Sequence, residues 1–394
     1  MSGPKPKILL GVTVDMSLGL MRGFPEYLVK QGWEVHVVSS PGPGLNRLAL
    51  LDGVSAHPLT MSREPSLLRD LRALIAWIVL LRRVRPDLIS VGTPKAGLLG
   101  SVAGRLAGIR HRVYMLRGLR LETATGIGRR ILAAIERLSI SSADRVVSVS
   151  PSLRDRAIGL GLVRDEKIVV LGSGSSNGVN LQTFDRGAFS EIQRASLSSR
   201  LGLIPGLPVV GFVGRLTRDK GLNVLAEARM ILAREGVDYQ LLVVGGVEDT
   251  SGSATFDGGL GKGRPAVVTG HVSDPETYYQ VMDILCLPTL REGFPNVVLE
   301  AAAASVPTVT TNATGAIDSV LDGETGLISQ SGSARSLADQ LAVVIEDGAR
   351  REAMGHRAAE FVAKEFSQHR VWSLTEGFYR DIIAGSGSTT KGSI

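Results

Sequence analysis

Residues 283–300 read DILCLPTLREGFPNVVLE: an apolar strand run from Asp283 to Leu287, a polar loop, and an apolar run that starts beside Pro295. Pro295 fits the first helical position, where its missing N–H costs nothing, and Gly293 admits an unusual backbone angle just before it. Phe294, Asn296 and Val297 are then expected to offer unpaired amides to an anion, reinforced by the helix dipole. Glu292 in the loop and Glu300 in the helix stand eight positions apart. Glu300 falls about five residues into the helix, roughly 7.5 Å along at ~1.5 Å per residue. Two carboxylates on either side of an anion site suit a nucleotide sugar, one for the sugar and the other for the ribose.

The same strand-loop-helix unit recurs outward in both directions. Short apolar runs occur at Lys7–Val14, Glu34–Ser39, Leu88–Val91, Arg112–Leu116, Arg145–Val149 and Ile168–Leu171, then at Val209–Val213, Gln240–Val244, Ala266–Thr269, Ile284–Leu287 and Thr308–Thr310. Helical stretches separate them, which predicts α/β structure with parallel sheets covered on both faces. The series restarts at Val209 after the polar, uneven stretch 181–208, so two Rossmann-like domains are expected with a cleft between them. Gly11, Gly92, Gly118, Gly214, Gly245 and Gly246 fall near strand ends, where ligands gather in such sheets. The last helical segment, Arg370–Ile383, is amphipathic.

A second motif supports the first. Val209–Gly221 reads VVGFVGRLTRDKG, a strand and a Gly turn followed by Arg215 and Lys220. Either cation alone reads as a solvated surface charge. Together on one strand-helix loop they can grip a diphosphate and neutralise the charge that gathers on it when a sugar-phosphate bond breaks. Asp-x-Asp, a common metal-binding motif of sugar transferases, occurs nowhere in the chain.

The segment EGFPNVVLE resembles the Glu-x7-Glu signature of the family-four retaining glycosyltransferases of GT-B type, and the resemblance extends from Lys7 to Ile383. It implies a GT-B fold, two Rossmann-like domains with parallel sheets facing across a cleft. The acceptor domain is expected at 1–190, with a terminal helix, 369–384, packing back on it. The nucleotide-sugar domain is expected at 205–368, and 385–394 as a disordered tail. The resemblance assigns Arg215, Lys220 and Glu292 to catalysis. It places Gly214, Phe294, Asn296, Val297 and Glu300 around the donor, with Glu300 on the ribose. VTGHVSD (Val268–Asp274) corresponds to the loop beside the base, so His271 and Val272 line the donor site or lie exposed; a general-base role for His271 is the lesser reading. No cofactor and no metal are expected.

On the acceptor side the signals are softer. GTPKAGLLG (Gly92–Gly100) resembles a subfamily that builds capsular, exopolysaccharide and lipid-linked oligosaccharide chains. There Lys95 either meets an acceptor phosphate or is solvated at a helix start. Arg117 stands in MLRGLRLE where many relatives carry a His, so a His-assisted mechanism does not transfer; Arg117 is read as binding a phosphate or an acidic sugar. Asn180 replaces the Asp usual in NGVDL, and Asn177-Gly178 marks a turn at the domain edge.

Charge points to the same kind of partner. Residues 1–180 carry 25 Lys and Arg against 13 Asp and Glu, whereas 181–394 carry 19 against 25. A basic first half suits a phosphate-bearing partner. Nucleic acid is excluded by the lack of zinc-finger spacing, an aromatic-rich RNA-binding pattern or a long basic run. An anionic membrane surface and a lipid-linked saccharide acceptor remain. Leu67–Val84, with Arg69, Arg72, Arg82 and Arg83 among apolar residues, reads as a core helix first and an interfacial helix second. The longest apolar run, Ala73–Leu81, is too short to span a bilayer, the start does not read as a secretion signal, and the lone Cys286 suits a reducing compartment. The expected location is cytoplasmic, peripheral at the inner face of the plasma membrane.

The resulting expectation is metal-independent, retaining transfer of a sugar from a UDP-hexose or UDP-N-acetylhexosamine donor to a polyprenyl-diphosphate-linked saccharide. Three other readings share the patterning: a dinucleotide oxidoreductase, which lacks its Gly-x-Gly-x-x-Gly after the first strand; a silent sugar-binding or assembly protein; and a nucleotide-sugar epimerase or hydrolase.

Overall fold

The computed structural model describes residues 5–62, 66–246 and 266–385. The chain forms two compact units, one taking residues up to Asn177 and again from His369, the other running from Gly178 to Gln368.

The first unit is built on seven strands, β1 (Lys7–Gly11), β2 (Glu34–Ser39), β3 (Val54–Pro58), β4 (Leu88–Gly92), β5 (His111–Leu116), β6 (Arg145–Ser148) and β7 (Ile168–Val170). All pair in parallel, in the order β3-β2-β1-β4-β5-β6-β7. Alternate side chains of a strand point to opposite faces. Ile8 and Leu10 therefore join one core with Phe24, Leu28, Trp33 and Tyr379, while Leu9, Ile89 and Val91 join another with Trp77, Leu81 and Leu99. Helix Gln368–Ala384 supplies Tyr379 to the first core, where Trp372, Phe378 and Ile382 pack beside it.

The second unit holds β8 (Val209–Val213), β9 (Gln240–Val244), β10 (Val267–Val268), β11 (Ile284–Cys286), β12 (Thr308–Thr311) and β13 (Gly326–Ser329), parallel in the order β10-β9-β8-β11-β12-β13. Residues Leu241–Val244 and Ile284–Leu287 are buried throughout, as a sheet covered on both faces requires. Cys286 is among them, and burial pushes its thiol far above the ordinary range.

Each sheet reverses its order once, between β1 and β4 in the first unit and between β8 and β11 in the second. At such a switch point the flanking loops leave in opposite directions and open a crevice at the carboxyl ends of the strands.

Several details differ from the sequence reading. Strands β3 and β13 are additional. The first helix after β11 is Asn296–Ala303, so Pro295 is its cap and not its first residue. The division falls between Asn177 and Gly178, and residues 178–190, expected in the first domain, belong to the second unit. The reason is packing: helix Leu181–Phe184 sets Phe184 edge-on to Tyr279, with ring centroids 5.7 Å apart. Helix Glu191–Arg200 follows, its N-terminus capped by a Ser190/Gln193 capping box. The expected tail lies, after Gly385, outside the described residues. Among those described, no helix is long and apolar enough to cross a membrane.

Candidate active site

The loops flanking the β8/β11 switch point are tied together by one carboxylate. Asp219, in the short turn Arg218–Lys220, accepts from the Thr217 hydroxyl at 2.6 Å and from the Arg291 guanidinium at 2.9 Å. Its backbone oxygen accepts from the Leu290 amide and the Thr289 hydroxyl at 2.9 and 3.1 Å. Burial raises the Asp219 carboxyl, but the Thr217 hydroxyl and the cations Arg291, Lys220 and Arg215 outweigh it and hold it below the usual carboxylate range. The next residue, Gly221, has a φ of +72°, and a β-carbon there would lie 1.9 Å from the Pro288 oxygen. Only glycine lets the two loops come this close.

That closeness brings Lys220 to Glu292. The ammonium donates to Glu292 Oε1 at 2.5 Å, with side chains 18% and 13% exposed. The Glu292 backbone is fixed from behind by its amide, which donates to Thr314 O at 2.9 Å. Gly315, with φ +76°, lets the loop after β12 sit against Gly293 O, which a β-carbon would meet at 2.3 Å.

Within the helix that follows this loop stands Glu300, whose Oε2 accepts from the Tyr279 hydroxyl at 2.7 Å. Tyr279 is fully buried, and burial together with the Glu300 carboxylate pushes its phenol well above its ordinary range. Asn296 and Val297 open helix Asn296–Ala303, so their amides precede its first internal acceptor. Asn296 Oδ1 is buried and receives no hydrogen bond among the described residues. Phe294 packs on Phe366 with centroids 5.2 Å apart, so its side chain anchors the loop and only its backbone is available to a ligand.

The remaining residues expected around the donor follow the carboxyl ends of neighbouring strands of the same sheet. Gly214 follows β8, and the Leu216 amide donates to Gly246 O at 3.0 Å after β9. The Gly245 amide in turn donates to Gly270 O at 3.0 Å after β10, next to exposed His271 and half-buried Val272. Arg215 is exposed on the loop that carries Lys220. All the residues assigned to the donor thus lie at the carboxyl end of one sheet. That end gathers two cations, Arg215 and Lys220, and the first amides of helix Asn296–Ala303, with the carboxylate of Glu292 in the loop and that of Glu300 in the helix.

In the first unit the two residues expected on the acceptor side differ. Lys95 is turned to Asp70 at 2.7 Å, joining helix Pro94–Leu106 to helix Leu67–Val84, so its charge is already matched. Arg117, just after β5, donates from Nη1 to Leu20 O at 3.2 Å, while its Nε is buried with no acceptor among the described residues. Burial lowers the guanidinium to about 10, so it stays cationic at neutral pH. It borders a cavity of about 20 Å³ shared with Ser90, Asn177, Thr375 and Tyr379, enough for one water molecule.

Four residues escaped the sequence reading. Tyr279, Asp219 and Arg291 act through contacts between segments distant in sequence. Thr93 sits at the β1/β4 switch point with φ +71° and ψ 145°, a strained conformation for a side-chain-bearing residue, and its hydroxyl lies 2.7 Å from that of Thr13. Its place between Gly92 and Pro94 is the one sequence signal it offers.

Comparison with known proteins agrees in both units. The family description "Glycosyl transferase 4-like domain" matches residues 21–174, and "Glycosyl transferases group 1" matches 194–361. The chain is 37% identical over 383 residues to the Staphylococcus aureus capsular polysaccharide biosynthesis glycosyltransferase CapM, covering 96% of this chain and 98% of that one. It is 27% identical over 263 residues, 65% of each protein, to the Escherichia coli UDP-Gal:alpha-D-GlcNAc-diphosphoundecaprenol alpha-1,3-galactosyltransferase. The solved structure of Anabaena HepE in complex with UDP-glucose shares the fold, with a TM-score of 0.77 at 20% identity over 95% of this chain and 99% of that one.

Proposed function

The chain belongs to the family-four glycosyltransferases of GT-B type, and we propose that it moves a hexose or N-acetylhexosamine from a UDP-sugar to a saccharide on a polyprenyl diphosphate, with retention and without a metal, in building a surface polysaccharide at an anionic membrane surface. The observation that carries this reading is the Lys220–Glu292 pair at the β8/β11 switch point, beside the start of helix Asn296–Ala303. Lys220, Arg215 and the amides at 294–297 take the diphosphate; Glu292 holds the donor-sugar hydroxyls and Glu300 the ribose. Charge developing on the leaving diphosphate is then met by groups already in place.

In the proposed step the bond from the anomeric carbon to the diphosphate oxygen breaks, and a bond to the acceptor oxygen forms on the same face. The acceptor's proton passes to the departing diphosphate. Lys220, released from Glu292 by the donor, gains a phosphate partner as Glu292 gains a sugar hydroxyl. Arg117 is the acceptor-side cation in this reading, since its Nε has no acceptor among the described residues, whereas Lys95 already has Asp70. The donor class is supported by the UDP-glucose bound in the HepE structure, and the acceptor class by the name of the Escherichia coli relative.

The test is nucleotide release by the purified protein over a panel of UDP-, GDP- and ADP-sugars, with and without a membrane lipid extract, in the presence of a chelator. Release from a UDP-sugar that rises with lipid is the expected result. Release that requires added metal, or that is indifferent to lipid, overturns the corresponding part of the proposal.

A further inference from the structure

Helix Leu67–Val84 buries Ala73, Trp77, Leu81 and Val84. At 3.6 residues per turn these fall on one side. The opposite side, which in a surface helix is ordinarily polar, carries Leu68, Leu71, Ile75 and Val79, between 54% and 74% exposed. Exposed Arg72, Arg82 and Arg83 border that stripe. Helix Gly126–Ser142 repeats the pattern: Ile127, Ile131 and Leu138 form an outward stripe, 50% to 78% exposed, beside Arg129, Arg130 and Arg137. Both helices pack on the intervening helix Pro94–Leu106, so the two stripes belong to one layer of the first unit.

The acids of these helices are turned away from that surface. Asp70 is paired with Lys95, and Glu136 accepts from the Tyr114 hydroxyl at 2.8 Å beneath the layer. The outward faces are therefore aliphatic and cationic.

We propose that this layer is a docking surface for an anionic lipid bilayer. The aliphatic side chains enter the boundary between headgroups and acyl chains, and the arginines meet lipid phosphates. A second copy of the chain is a poorer occupant, because a two-fold contact would set the same arginines against one another. A nucleic acid would leave the aliphatic stripes without a partner. The proposal gives the membrane association suggested above a location, and it does not depend on sugar transfer.

Flotation of the full chain with vesicles that contain neither donor nor acceptor separates the two questions. Binding to phosphatidylcholine vesicles mixed with phosphatidylglycerol is expected to exceed binding to phosphatidylcholine alone. The combined change Leu71→Ser, Ile75→Ser and Val79→Ser should lower partitioning by about ten-fold or more. The set Arg72→Gln, Arg82→Gln and Arg83→Gln should abolish the preference for the anionic vesicles. All six side chains are exposed, and an unchanged melting curve checks that each variant folds. Absence of binding to anionic vesicles, or binding that neither set alters, overturns the proposal. So does a dimer in sedimentation velocity that the serine set dissolves while vesicle binding persists.

Discussion

Tyr279 donates its hydroxyl hydrogen to Glu300 at 2.7 Å from a position wholly inside the second unit. The carboxylate proposed to hold the ribose is therefore oriented from beneath by a residue that no ligand can touch. Tyr279→Phe should keep the ring packing on Phe184 and lose only the oriented charge-assisted bond. Donor affinity, measured by calorimetry with UDP, is expected to fall about 5- to 20-fold, the scale of one such hydrogen bond. Unchanged affinity would separate Tyr279 from the site.

Lys220→Ala removes the cation proposed to meet the leaving diphosphate. Turnover should drop by about 10²-fold or more, the usual cost of losing a charge contact made in the transition state. Arg218→Ala, two residues away and exposed, serves as the control and should leave turnover unchanged. Near-normal turnover of the Lys220 variant would remove it from the mechanism.

Arg117→Ala should act on the acceptor alone. The expected outcome is an acceptor KM raised by about ten-fold or more with donor affinity unchanged, the cost of one charged hydrogen-bond partner. Arg117→Lys should recover only part of this, because an ammonium lacks the planar fork of donors. Steady-state kinetics with acceptor varied at saturating donor decides the matter.

Glu136 gives a pH signature. Burial raises its carboxyl from 4.5 to about 7, although the hydrogen bond from Tyr114 works in the other direction. Between those values the folded state keeps a proton that the unfolded state has lost. Its contribution is thus full below about 4.5, declines as pH rises, and is gone above about 7, a loss of up to roughly 3 kcal/mol. Urea midpoints of the parent and of Glu136→Gln, compared from about pH 5 to about pH 8, should show a slope in the parent that the variant lacks.

The apolar runs of the sequence locate eleven strands because a parallel sheet covered on both faces needs near-continuous apolar residues. β3 and β13 escape that signal for a physical reason. Each pairs on one side only, at the edge of its sheet, and Val54–Pro58 carries Ser, His and Pro where a central strand would carry aliphatics. The donor-side residues are legible because strand ends and helix starts announce themselves through Gly and Pro. What joins them is not. Lys220 meets Glu292 across 72 positions, and Arg291 meets Asp219 across the same separation, through approaches that depend on Gly221 and Gly315 having no side chain. The solvent side of helix Leu67–Val84 shows the converse case. Its composition suggests a core helix, and only the fold reveals that the second apolar face is exposed among the described residues.

Helix Gln368–Ala384 bears on the order in which the molecule can be made. Tyr379 bonds to Ser90 at 2.7 Å, and Glu376 accepts from the Trp33 indole at 3.0 Å, so the last described helix completes a core begun by the first strands. On the ribosome, residues 178–367 are synthesised before that helix exists. The second unit is continuous in sequence and can close during synthesis, while the first waits with Phe24 and Trp33 uncovered until its final segment emerges. A truncation that removes residues 368–384 is in effect a lesion at the N-terminus.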